Sequence, residues 1–368
     1  MKARIASLAL LATSVIASMG LAATADARST GAKPMFTVVP ANAPGHIAPI
    51  NQASQLVQFN GGFTDLLGHA IHYTMVGTDP TSTNTTTTIN VVVIPIIMKY
   101  GASNGNMTFN PKKDKYPDGI KVLKRMEKSP IFTNNPFTVA GQNIGNTQYI
   151  DAFQRGNFWN VGVSGEPSYH VLLHIVKVMK PLKISPTSSQ GHVVTNPFGT
   201  IPVGEMSINA FDPILNSYIT SHSADIHPDV LPLFITDNIF LTQGGCCIGG
   251  YHSTRGGPPG GQTYSYTTMV TEDGSFSEDI SALSHEIGEW QDDPFTNNHV
   301  NCNDNSILEV GDPLVPIGEF GTFPLTEGGF TFHPQDLVFL AYFGAPITTS
   351  VGNQYSFNAQ MTHVCPGQ

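Results

Sequence analysis

The chain has 368 residues, with 17 Lys plus Arg against 27 Asp plus Glu and a net charge of −10. An acidic chain with so few cations is excluded as a nucleic-acid binder or a partner of anionic membranes. A hydrophobic fraction of 40% excludes a disordered chain, and the low charged fraction of 12% suits a secreted, loop-rich enzyme.

Residues 1–27 read as a secretory signal peptide. Lys2 and Arg4 make a basic start, residues 5–23 are uncharged and rich in Leu, Ala and Val, and Ala25-Asp26-Ala27 is a small-x-small cleavage site. No cysteine follows the site, so a lipid anchor is not indicated. No later run of about eighteen apolar residues offers a membrane span. The mature chain is expected to be secreted, either extracellular or periplasmic. Residues 28–60 are polar and Pro-rich and read as an N-terminal arm; residues 61–368 are long enough for one large domain.

Residues 88–98, a continuous β-branched run, predict a strand buried on both faces, with Pro95 marking a bulge or an edge. Residues 72–76 are expected to pair with it across the Thr/Asn-rich turn at 78–88. Residues 118–128 and 147–159 predict helices, and the aromatics Tyr149, Phe153 and Phe158 of the second read as core. Residues 170–185 alternate and predict a strand. His170 and His174 share a face there and, with no acidic residue near them in sequence, read as structural. Residues 203–219 predict a strand or short helix. Residues 230–241 predict a buried strand pair or one long strand. Residues 244–261 are Gly-rich and carry His252, read either as an oxyanion-stabilising group or as a loop histidine bonded to backbone. Tyr264, Tyr266 and Thr268 alternate as a strand. Residues 331–343 contain a helix start at Pro334-Gln335-Asp336, and residues 350–364 predict a last strand. Of four cysteines, Cys302 and Cys365 are expected to pair, leaving Cys246 and Cys247 vicinal or free.

The most informative stretch is residues 276–312, centred on His285-Glu286-Ile287-Gly288-Glu289. Ile280, Leu283, Ile287 and Trp290 recur at three and four, which predicts a helix starting at Asp279 or Ser281 and stopped by Pro294. His285 and Glu289 are four apart and stack on one face; Glu286 lies one step round. This is H-E-x-x-H, two metal-binding histidines and a general base, with glutamate in place of the second histidine. Glu309, 24 residues after His285, is offered as a third ligand.

These residues resemble the thermolysin-like gluzincins, a zincin family whose third ligand is a glutamate on a second helix. The stretch is also similar to secreted bacterial proteins carrying S-H-E-x-x-E-x-x-D-D-P and E-x-G-D, and distantly to exordium-like proteins. The resemblance implies an α+β zincin-like fold for residues 61–368 as the catalytic domain: a mixed twisted sheet packed on the active-site helix, residues 230–241 as the edge strand that binds extended substrate, and a second helix carrying Glu309. It implies that His285, Glu289 and Glu309 bind the metal, that Asp312 orients His285, and that Glu286 is the base of a metallopeptidase acting on peptide or protein substrates. The expected cofactor is one divalent metal, zinc first, with manganese or iron admitted because carboxylates replace an imidazole. A structural calcium is a weaker expectation in residues 297–312, where Ser306 stands at the turn position that wants glycine. Asp293 in place of Glu309 is a variant ligand set. Two other readings stay open: a non-catalytic metal- or carbohydrate-binding protein, and a glycoside hydrolase using Glu286 and Glu309 as its carboxylate pair.

Overall fold

A computed structural model describes residues 32–39, 54–303 and 306–368. The expected signal peptide, residues 1–27, lies outside them, as does Asp304 of the candidate calcium loop. The strands are β1 (Met35–Val39), β2 (Gln58–Thr64), β3 (Ala70–Val76), β4 (Thr86–Lys99), β5 (Thr108–Phe109), β6 (Asn135–Val139), β7 (Gln142–Thr147), β8 (His170–Val178), β9 (Leu182–Ile184), β10 (Gly191–Thr195), β11 (Pro202–Ser207), β12 (Val230–Asp237), β13 (Ile239–Thr242), β14 (Cys246–Arg255), β15 (Gln262–Met269), β16 (Leu325–Glu327) and β17 (Phe330–Phe332). The helices are α1 (Val122–Glu127), α2 (Tyr149–Asn157), α3 (Ile208–Ser221) and α4 (Ser281–Asp292).

The chain is α+β, built on one mixed sheet of eleven strands. Its path is β10-β11-β13-β14-β15-β12-β4-β5, with β1 beside β14 and β8 and β9 beside β4. β4 is buried from Val91 to Ile96, as its β-branched run requires. Parallel neighbours flank it, β12 on one edge and β8 then β9 on the other. β8 ends opposite Val93 and β9 begins opposite Ile96, so Pro95 falls in the gap. A proline there forfeits no ladder bond, because it has no N–H to donate.

Several expectations are corrected. β3 pairs with β2 rather than β4, whose two edges are already taken. Its other edge is capped by Asn298, whose side-chain amide bonds both the N–H and the C=O of Thr74 at 2.9 Å. Residues 230–241 are two strands, one of the two readings offered, broken at Asn238 (φ 52°), but β12 is an interior strand between β15 and β4 rather than an edge. Residues 331–343 hold no helix, and residues 350–364 no strand; isolated bridges and short 3-10 turns take their place. His170 does have an acidic partner, since its Nδ1 lies 2.7 Å from Asp151 Oδ2 on α2.

The sheet separates the two larger of three apolar clusters. α3 covers one face with Phe211, Leu215 and Ile219 against Phe234, Tyr251, Tyr264 and Tyr266. α4 belongs to the core on the other face through Ile280, Leu283, Ile287 and Trp290. Burying those four side chains contributes on the order of 10 kcal/mol. Trp290 also donates its Nε1–H to Thr263 Oγ1 on β15 at 3.0 Å, which sets the helix against the strand. Cys302–Cys365 is a disulfide, as expected, and Cys246–Cys247 is a vicinal one. Both suit a non-reducing environment. No helix among the described residues is long and apolar enough to cross a membrane.

Candidate metal centre

Every residue of α4 is buried, including His285, Glu286 and Glu289. Ionisable side chains are almost never fully buried without partners, so the face opposite the apolar stripe must be engaged by something. Two other elements close on it. β14 passes under the helix at Gly250, where an added Cβ would stand 2.6 Å from Glu286 Cγ. Strand alternation then sends Tyr251 to the α3 core and His252 to the α4 side. The segment 307–312 closes the third side. There the N–H groups of Gly311 and Asp312 donate to Glu289 Oε1 at 3.1 and 3.2 Å.

The donor atoms converge. His285 Nε2 is 2.9 Å from Glu289 Oε1 and 3.7 Å from Asp312 Oδ1. His252 Nδ1 is 3.5 Å from Glu286 Oε2 and 3.9 Å from Glu289 Oε2, and its Nε2 is 4.0 Å from Glu309 Oε1. Two donors on one zinc-sized ion stand about 2.8–3.6 Å apart, given bonds of about 2.0–2.2 Å. The shortest of these contacts fall within that range.

The hydrogen bonds on the far side of each ring set the tautomers. His285 Nδ1 donates to Gln335 Oε1, an amide oriented by its own Nε2 bond to Gly311 O. His252 Nε2 donates to the carbonyl of Asp293 at 3.1 Å. His285 therefore turns a lone pair toward Glu289 and Asp312, and His252 turns one toward Glu286 and Glu289, while Glu309 lies nearer the N–H side of the His252 ring. Metal-binding histidines are held by such outer bonds. His285 Nε2, His252 Nδ1, Glu289 Oε2 and both oxygens of Glu286 are buried without a hydrogen-bond partner. His285 Nε2 and Glu289 Oε1 are both lone-pair atoms in this arrangement, so a proton or a cation must lie between them.

Electrostatics agree. Burial pushes the His252 imidazole down to about 3 and His285 to about 4, so both are neutral at neutral pH, as ligands must be. Burial raises Glu286, Glu289 and Glu309 well above the usual carboxylate range, and mutual repulsion among the acids adds to it. Contact between the Glu289 and Glu309 carboxylates raises Glu309 further and offsets part of the rise at Glu289. Asp312 is raised by burial and pulled back by His285. A divalent cation would relieve all of these at once. No known protein family, curated protein or solved structure matches the chain.

The structure brings together His285, Glu286 and Glu289 on α4 and places Glu309 beside Glu289. Two triples at this centre have donors within 4.8 Å of one another, His285, Glu286, Glu289 and His252, Glu289, Glu309; a third among the described residues, Glu205, Cys246 and Cys247, lies elsewhere and has both its sulfurs in the vicinal disulfide. Glu309 therefore groups with His252 rather than with His285. Three features differ from expectation. Glu309 is on an irregular stretch, not a second helix. His252 is on strand β14, not in a loop, and faces the carboxylates as a donor atom. The N–H of His285 goes to Gln335, while Asp312 lies on the opposite, Nε2 side of that ring. Asp293 does not join the cluster through its carboxylate, which accepts from the Asn297 and Asn298 N–H groups. Gln335, Gly250 and Gly311 escape sequence reading, because their roles arise only where separate segments meet.

One more residue covers the centre. β1 runs parallel beside β14, and Phe36 stacks on His285 with ring centroids 3.6 Å apart and planes at 24°. A groove lined by Lys33, Met35, Phe36, Asp312 and Pro313 opens beside it.

Proposed function

We propose that this chain is a secreted, metal-dependent hydrolase that cleaves peptide bonds, with Glu286 as general base. The observation that carries the reading is the buried convergence of two imidazole lone pairs and the α4 carboxylates, with outer bonds fixing each ring. A mixed set of nitrogen and oxygen donors suits zinc, manganese or iron. A divalent cation held there supplies Lewis acidity, polarising a carbonyl and acidifying water. The chain's own residues do the rest. Gln335 and the Asp293 carbonyl hold the histidines neutral and aimed inward. Glu286 keeps both oxygens clear of other donors and, with its proton affinity raised by burial, is suited to take a proton and return it to a leaving amine.

A peptide substrate is supported by β1 itself. An extended segment of this chain already lies along β14 with an aromatic side chain over His285, so the cleft has the shape and the backbone ladder for an extended polypeptide. The test is Glu286→Gln, assayed on unfolded protein substrates beside elemental analysis. Loss of cleavage with metal retained is expected. Unchanged cleavage, or wild-type protein without bound metal, refutes the reading.

A further inference from the structure

We infer that the centre is built for two divalent cations bridged by the Glu289 carboxylate, one on the His285 side and one on the His252 side. This rests on the metal-binding reading above and goes beyond it in number and in ligand assignment. The two oxygens of Glu289 face different histidines: Oε1 lies 2.9 Å from His285 Nε2, and Oε2 lies 3.9 Å from His252 Nδ1. A carboxylate presenting one oxygen to each of two nitrogen donors is the arrangement of a bridge, and cations so bridged stand about 3.5–4 Å apart. The two clusters of mutually close donors share Glu289 and nothing else. Each cluster contains one histidine, and each histidine has its lone pair set by a bond on its far side.

The number of donors points the same way. Besides Glu286, five donor groups line the centre: the two rings, Glu289, Glu309 and Asp312. A catalytic ion takes about three protein ligands and a water. Two ions sharing Glu289 use all five, His285 and Asp312 with one and His252 and Glu309 with the other. Glu286, the proposed base, stands beside both positions, since it groups with His285 and Glu289 while its Oε2 lies 3.5 Å from His252 Nδ1.

The two positions differ in access. The Asp312 side chain, on the His285 side, is 39% exposed and lines the groove beside β1, whereas Glu309, on the His252 side, is 5% exposed. The outer cation is therefore the exchangeable one, and the inner cation is enclosed.

The test uses the full mature chain loaded with manganese(II) or zinc(II) and freed of excess by gel filtration. Elemental analysis is expected to give two ions per chain, with a chelator removing one quickly and the other slowly. His252→Ala and His285→Ala should each retain one ion. Electron paramagnetic resonance of manganese-loaded wild type should show an exchange-coupled pair, a readout that needs no variant to fold. One ion per wild-type chain, or two magnetically isolated manganese ions, overturns the bridged pair and leaves the metal reading standing. No ion at all overturns both.

Discussion

Gly311 offers the sharpest test that His285 is held as a ligand. Its φ of −94° lies in the ordinary helical region, so alanine costs the backbone nothing there. The whole effect comes from the added methyl, which would stand 2.3 Å from His285 Nδ1, 2.6 Å from Cε1 and 2.8 Å from Cγ. Carbon contacts settle near 3.5 Å, so ring and segment must separate by about 1 Å. The ring has no easy retreat, with Phe36 stacked on it at 3.6 Å and Gln335 on its Nδ1. If the ring yields, it loses the Gln335 bond and its aim at Glu289. If the segment yields, the Gly311 and Asp312 N–H groups leave Glu289 Oε1. Either relaxation removes an outer-shell contact, and such losses weaken metal binding by about 10–100-fold, or roughly 1.4–2.8 kcal/mol. The assay is competition for zinc(II) against a chromogenic chelator at pH 7, with circular dichroism as the check on folding. Gly245→Ala is the control, since nothing lies within 4 Å of a Cβ there. A folded Gly311→Ala protein with zinc affinity within about twofold of wild type refutes the claim that the ring's position governs binding.

Three further outcomes are expected. A chain beginning at residue 54 lacks β1 and uncovers both the β14 edge and His285, so cleavage of extended peptides should rise by roughly tenfold or more at unchanged metal content; equal or lower activity would show that β1 does not obstruct the cleft. Cys302 and Cys365 close a loop of 63 residues, and replacing both by serine should lower the unfolding free energy by about 4 kcal/mol in urea titrations, whereas a loss below about 1 kcal/mol would mean the tail holds without the bond. Burial raises Asp336 to about 6 despite the hydrogen bonds it accepts from Ser356, Asn358, Gln360 and Leu337. A raised folded-state value means a contribution to stability that is present below about pH 4 and lost as pH rises through about 6. Between pH 4 and 7 wild type should therefore lose about 3 kcal/mol relative to Asp336→Asn, and a gap between the two that does not change with pH would refute the assignment.

The sequence is legible here to the extent that function follows from one element at a time. The helix at α4, its apolar stripe and the shared face of His285 and Glu289 all depend on a 3.6-residue period, which any stretch of chain displays by itself. The buried strand β4 shows itself in the same way, through its β-branched run. The errors lie where pairing decides. Whether β3 joins β2 or β4 depends on β8 and β12 having already claimed both edges of β4, and no local pattern carries that information. His252 looks like a loop histidine because eight glycines lie between residues 244 and 261. Yet glycine is what lets β14 pass close beneath α4, with Gly250 against Glu286.

The ligand set repeats this lesson in chemical terms. A motif such as H-E-x-x-E names donors on one helix and leaves their partners to be guessed by analogy. The partners found here are 33 residues upstream at His252 and 20 residues downstream of Glu289 at Glu309, joined to the helix by a strand crossing and by an irregular segment. Four acids and two neutral imidazoles under a fully buried helix are a large electrostatic cost for a fold to carry, far more than the one helix face could recover by packing. Such a cluster persists in a folded chain only if something of opposite charge, protons or cations, completes it. The bonds from Gln335 and from the Asp293 carbonyl are the ground for proposing cations, because each takes up the N–H of its imidazole and leaves the other ring nitrogen as a lone pair beside Glu289. Protons alone would complete the carboxylates without either ring, so a metal-free protein in elemental analysis would return the cluster to them.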